Sequence, residues 1–178
     1  FEPPVRLRYD YVTDEKKQPR VIAEMPGKGP TWLGGFVSLP AKDGQWRMVA
    51  CYDKIEPPLA AYESGLCVWN DGEASFDRHK VLWTRGDGGA EPPPRPLGHP
   101  VRWTDGAGKE WVLFGDPFPS LKCEASFEAW SDPQAWQVIK AQTEVAVRDG
   151  GEKIRPHRGS IAWNAYRKKW VAVFTQFG

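Results

Sequence analysis

A partial β-propeller built from four-stranded antiparallel blades is the fold class this 178-residue sequence predicts, on three observations. The chain is a succession of short β-rich runs separated by polar turns, which reads as repeated hairpins. Three of these hairpins share one plan, and the tryptophans that open their second strands, Trp46, Trp111 and Trp170, follow at steps of 65 and 59 residues. A second set, Tyr9, Trp69 and Trp130, repeats at steps of 60 and 61 in the intervening hairpins. A period near sixty with four strands per unit signals propeller blades, longer than the roughly 40–45 residues of a WD40 blade.

Taken in order, with strands A to D counted outward from the axis, residues 1–25 hold strands C and D of one blade. Val5–Tyr9 and Arg20–Met25 are those strands, around a charged turn at Asp14-Glu15-Lys16-Lys17. A full blade follows over 34–83. Gly35–Leu39 and Trp46–Cys51 are joined at Lys42-Asp43-Gly44, then Leu66–Trp69 and His79–Trp83 at Asn70-Asp71-Gly72. A second full blade covers 98–140. Its strands are Gly98–Trp103, Trp111–Phe114, Ala125–Trp130 and Trp136–Ile139, with turns at Asp105-Gly106 and Ser131-Asp132-Pro133. Strands A and B of a further blade lie at 158–176, as Gly159–Trp163 and Trp170–Phe174. Trp46, Trp111 and Trp170 keep the repeat register and are expected in the core between sheets. The Gly- and Pro-rich stretches 86–96 and 149–152 connect blades, and Gln142–Val147 reads as loop. A chain that starts and stops in mid-blade is expected to be an internal piece of one propeller domain, with the remaining blades as its partner.

Composition narrows function by exclusion. Twenty-four Lys and Arg against 23 Asp and Glu leave a net charge of +1, which supplies no electrostatic case for nucleic acid or an anionic membrane surface. Mean hydropathy is −0.57 and no long apolar run predicts a transmembrane helix. Ten tryptophans are many for this length; some belong to the core, but Trp also stacks well on sugar rings, which favours a carbohydrate partner. Cys51, Cys67 and Cys123 show no metal spacing and read as buried thiols, although Cys51 and Cys67 fall on neighbouring strands within reach of a disulfide. No phosphate loop or nucleophile–base–acid set is visible, and neither a cofactor nor a metal is expected.

In a propeller the D-to-A and B-to-C connections emerge on one face, around the channel mouth. The first set supplies Trp32, Arg95, His99, His157 and Arg158. The second supplies Asp53, Lys54, Glu56, Tyr62, Glu63, Asp116, Phe118 and Lys122. His99 and His157 hold matching places, as do Asp53 and Asp116. The histidines serve either as ligand contacts or as backbone partners at the strand start, and the aspartates either as chemistry or as turn residues. A metal held at the mouth by these histidines and aspartates is a further reading without a motif.

GGFVSLP…WRMVACYDK, GHPVRWT…WVLFGD and RGSIAWNAYRKKWVAVFTQ resemble the five-bladed propellers of glycoside hydrolases of families 43 and 130. Through YVTDE, PGKGPTWLGG and GSIAWNAYRKKW the chain also resembles uncharacterised bacterial propeller proteins. The likeness extends over essentially the whole sequence, about three-fifths of such a propeller. It implies a carbohydrate ligand, hydrolysis by paired carboxylates, and a periplasmic or extracellular setting. The sequence departs from the hydrolase pattern, because its strand A starts carry Trp32-Leu33-Gly34, Gly98-His99 and His157-Arg158-Gly159 without a carboxylate. From position, Asp53 and Asp116 are nominated as base or pKa modulator and Glu63 as acid. Trp32 is nominated as a sugar platform, and Lys54, His99, His157 and Arg158 as hydroxyl or anion contacts. The alternative is a non-catalytic propeller that binds glycan or protein through the same mouth.

Overall fold

The computed structural model of the chain describes residues 9–86, 91–146 and 150–177. It is 50% strand and 5% helix, and its sheets are antiparallel. The first sheet is a meander of β1 (Thr31–Pro40), β2 (Trp46–Glu56), β3 (Ala60–Asn70) and β4 (Ser75–Thr84), in chain order. The second repeats that order with β5 (Val101–Thr104), β6 (Glu110–Gly115), β7 (Pro119–Glu124) and β8 (Gln137–Val138). A five-residue helix, α1 (Phe127–Ser131), and a 3-10 turn separate β7 from β8. β9 (Pro156–Asn164) and β10 (Lys169–Gln176) form a hairpin. Among the described residues no helix is long and apolar enough to cross a membrane.

The hairpin turns follow from their sequences. In the β1–β2 turn Ala41 N–H donates to Gln45 O and Gly44 N–H to Ala41 O. In the β5–β6 turn Asp105 N–H donates to Lys109 O and Gly108 N–H to Asp105 O. The Asp105 carboxylate accepts the amides of Ala107 and Lys109, the local bonding that favours Asp in turns. Its second oxygen takes the Trp111 indole N–H at 2.9 Å, and that bond is the largest cause of a carboxyl held below its usual range. The same five-residue geometry recurs at 14–18, where Asp14 N–H donates to Gln18 O and Lys17 N–H to Asp14 O.

β2 and β3 are buried on both faces, so two cores form. One lies between the sheets and comprises Leu39, Val49, Cys51 and Leu66 against Val112, Phe114, Leu121, Cys123 and Trp130. The other lies on the opposite face of the first sheet, where Ala50, Tyr52, Cys67 and Phe76 meet Ala23 and Met25. Cys51 is opposite Leu66 and Cys67 opposite Ala50, so the two thiols point to different faces. All three cysteines are buried and free. Burial pushes the Cys67 and Cys123 thiols up to about 12 and raises that of Cys51 as well. None should react with a neutral-pH disulfide reagent until denaturant is added. Rapid labelling of the native chain would contradict this packing.

Several expected elements differ. Arg20–Met25 is not a strand. Around it the described residues hold a tight turn with a single bridge, Thr13 to Pro19, and an arm whose Ile22 O accepts Phe76 N–H at 2.6 Å. Pro19 and Pro26 flank the arm and lack amide hydrogens, which disfavours ladder pairing at its ends. Val5–Arg8 lies outside the described residues, as does Val147 of the expected loop. Where a strand is expected at Ala125–Trp130, the chain caps at Ser126 and enters α1 at Phe127. Ser126 Oγ accepts the Ala129 amide as an N-cap, and Asp132 caps the 3-10 turn that Pro133 begins. The third strand of that sheet lies earlier, at β7. Of the three register tryptophans Trp111 is buried, whereas Trp46 is 63% and Trp170 43% exposed. Trp46 packs under the guanidinium of Arg102 from the second sheet, 5.3 Å from its ring centre, at the exposed rim rather than in the core between the sheets.

Candidate functional site

The strand ends at one edge of both sheets, together with the linker that joins them, enclose a cavity of about 960 Å³. β1 contributes Trp32 to Phe36, β2 its Asp53, β6 Gly115 and Asp116, and β9 Arg158. The linker supplies Pro92 to Arg95 and Leu97 to Pro100. Five of the eight nominated residues therefore share one space: Trp32, Asp53, His99, Asp116 and Arg158.

Pairing register sets who faces whom. Trp32 pairs with Asp53, Asp53 with Ser64, and Ser64 with Trp83, so one row of side chains crosses the first sheet on a single face. Trp32 is 49% exposed at the cavity end of this row. Asp53 accepts Arg95 Nη2 on both oxygens, at 2.8 and 3.0 Å, and Ser64 Oγ at 2.5 Å. The Asp53 and Arg95 side chains are only 14% and 13% exposed, so this ion pair is largely withdrawn from water. The Arg95 Nε is buried without a partner.

The linker is clamped as well as ion-paired. Gly35 N–H donates to Gly98 O at 3.1 Å and His99 N–H to Gly115 O at 2.8 Å. A Cβ on Gly35 would stand 2.1 Å from Pro96 O, and one on Gly98 2.2 Å from Gly115 O, and both residues have positive φ. Only glycine permits the linker to lie this close to β1 and β6. Asp116, exposed at the end of β6, accepts the Gly159 amide at 2.8 Å and ties the β9–β10 hairpin to the second sheet. Phe118 and Phe174, with ring centres 6.1 Å apart, pack beside that bond.

The remaining three nominees lie elsewhere. Lys54 follows Asp53 on a strand, so its side chain leaves by the opposite face. It is 2% exposed, and its ammonium donates to Met25 O, Gly29 O and Thr31 Oγ1 at 3.2, 2.8 and 3.3 Å. With its three protons used in bracing the 25–31 loop, it is no rim contact. Glu63 pairs with Lys54 and shares that face. It accepts the Tyr52 hydroxyl at 2.7 Å and stands 3.6 Å from Arg78. Burial, followed by this bond, pushes the Tyr52 phenol up. β3 begins at Ala60, so Glu63 and Tyr62 belong to a strand and not to a rim loop. His157 is exposed and packs on Phe177, ring centres 4.3 Å apart, outside the cavity lining.

Sequence reasoning missed two participants. Ser64 was legible in principle, since it sits opposite Asp53 once the register is known. The Gly159 amide carries no side-chain signal. Among the described residues no group of three or more His, Cys, Asp or Glu side chains is arranged to hold a metal. Comparison with family models, curated proteins and solved structures finds no match to this chain.

Proposed function

We propose that the two meanders and the hairpin are successive blades of a β-propeller, and that the cavity is a glycan-binding site at its mouth. The succession of sheets, each running first to fourth strand in chain order, supports the propeller. One observation carries the glycan reading. A half-exposed tryptophan, Trp32, stands in a single cavity with two carboxylates, Asp53 and Asp116, and with His99 and Arg158. A flat apolar ring flanked by hydrogen-bonding groups matches a sugar, which presents C–H faces and a rim of hydroxyls. The cavity volume falls in the range of ligand sites, about 300–1,000 Å³.

Hydrolysis is a second reading, favoured by the presence of both aspartates in the same cavity, since glycosidases act through carboxylate pairs. Asp116 is the better reactive group of the two. One of its oxygens is engaged by a backbone amide, whereas Asp53 holds Arg95 and Ser64.

A glycan array and a panel of chromogenic glycosides, run beside Trp32→Ala, Asp116→Asn and Asp53→Asn, separate these readings. Trp32→Ala should weaken binding by roughly tenfold, about 1.4 kcal/mol. If the panel turns over, Asp116→Asn should lower kcat at least about a hundredfold. Binding without turnover in any panel member makes the site a recognition module. Absence of binding to every glycan rejects both.

A further inference from the structure

We infer that the site takes an oligosaccharide chain lying across Asp116, not a single terminal sugar. The inference rests on glycan recognition at the mouth and extends it. A second cavity, of about 440 Å³, opens beside the first and is lined by Asp116, Pro117, Phe118, Gln142, Arg155 and Phe177, among others. Asp116 lines both spaces, so it stands on the wall between them. The first space holds two half-exposed aromatic rings, Trp32 at 49% and Phe36 at 47%, and the second holds Phe177 at 55%, whose ring also packs on His157.

Trp32 lines one of the two spaces that share Asp116, and Phe177 lines the other. A monosaccharide on Trp32 makes no use of the second ring, whereas a chain of several sugars stacks on both and presents an inner linkage to Asp116. The hairpin supplies this second half, because Phe177 N–H donates to Arg155 O at 3.1 Å and Gly159 anchors the hairpin on Asp116. The class of ligand is therefore a neutral or weakly charged polysaccharide bound within its length. The cavities balance Arg95, Arg155 and Arg158 against Asp53 and Asp116, without a large excess of either sign.

Titration calorimetry of the full chain with cello-, xylo-, manno- and arabino-oligosaccharides of one to six units tests this. In at least one series affinity should rise about tenfold or more between two and six units. Phe177→Ala should abolish that gain while leaving two-unit binding intact, and Trp32→Ala should weaken all lengths. Because Phe177 is exposed, its removal should not unfold the chain, and a thermal melt of the variant checks this. Equal affinity for short and long chains, or equal losses at all lengths in Phe177→Ala, overturns the chain-spanning site and leaves glycan recognition standing. No binding in any of the four series overturns the chain-spanning site, and glycan recognition falls with it when the array is empty as well.

Discussion

Replacing Arg95 by alanine will lower the unfolding free energy by about 3 kcal/mol, the loss expected when one partner of a largely buried ion pair is removed. Asp53 would be left facing the cavity with only Ser64 Oγ to bond it. The linker would retain its backbone ties at Gly98 and His99 but lose its side-chain anchor. Asp53→Ala should cost a similar amount. The double variant should be appreciably more stable than the sum of the two predicts, because the second substitution removes a charge already orphaned. Urea unfolding of the three variants measures this cycle. Strictly additive losses, or losses below about 0.5 kcal/mol, would show that the pair is solvated and mechanically idle.

Trp130→Ala should lower stability by about 4 kcal/mol, at the upper end for emptying a core position. Trp130 is fully buried and belongs to the core that joins the two sheets. Its neighbours mark it as a hinge pin between them. His79 stacks on its ring with centres 6.3 Å apart, and Arg47 lies 4.8 Å over the ring of Phe127 one turn away. The Lys42 amide donates to Glu128 at 2.9 Å. Trp130→Phe should recover much of the loss, since the buried Trp130 Nε1 has no partner to forfeit. A loss under about 1 kcal/mol in Trp130→Ala, read from the shift of the urea midpoint, would mean the sheets hold together without α1.

The inner hairpins were legible because turn chemistry and tryptophan register agree in each. Trp46, Trp111 and Trp170 open second strands in the sequence and do so in the structure. What those tryptophans touch was not legible, since register fixes position along a strand but not what covers the face. α1 was misread for a local reason. Ala125–Ala129 alternates apolar and polar residues like a strand, and the signal against it is Ser126 as N-cap with Glu128 in the first turn. Matching places brought His99, Asp53 and Asp116 to one cavity but failed for His157, and Asp53 lies within β2 rather than at its end. Lys54 and Glu63 were misplaced because β2 and β3 run further than the apolar pattern suggests, so that both residues obey strand alternation and turn away. The Asp53–Arg95 bond joins residues 42 apart and needed the fold to be seen.

The clamped linker has an evolutionary corollary. Residues from two sheets and the passage between them enclose the cavity, so no sheet owns it. Duplicating one sheet with its turns would copy half the cavity wall, and divergence of either neighbour alone would reshape the other half. Selection on the shape of such a cavity falls on the junctions. There the prolines at 92–94 can change while Arg95 keeps its hold on Asp53 and the flanking ladders, whose pairing does not involve them, stay as they are.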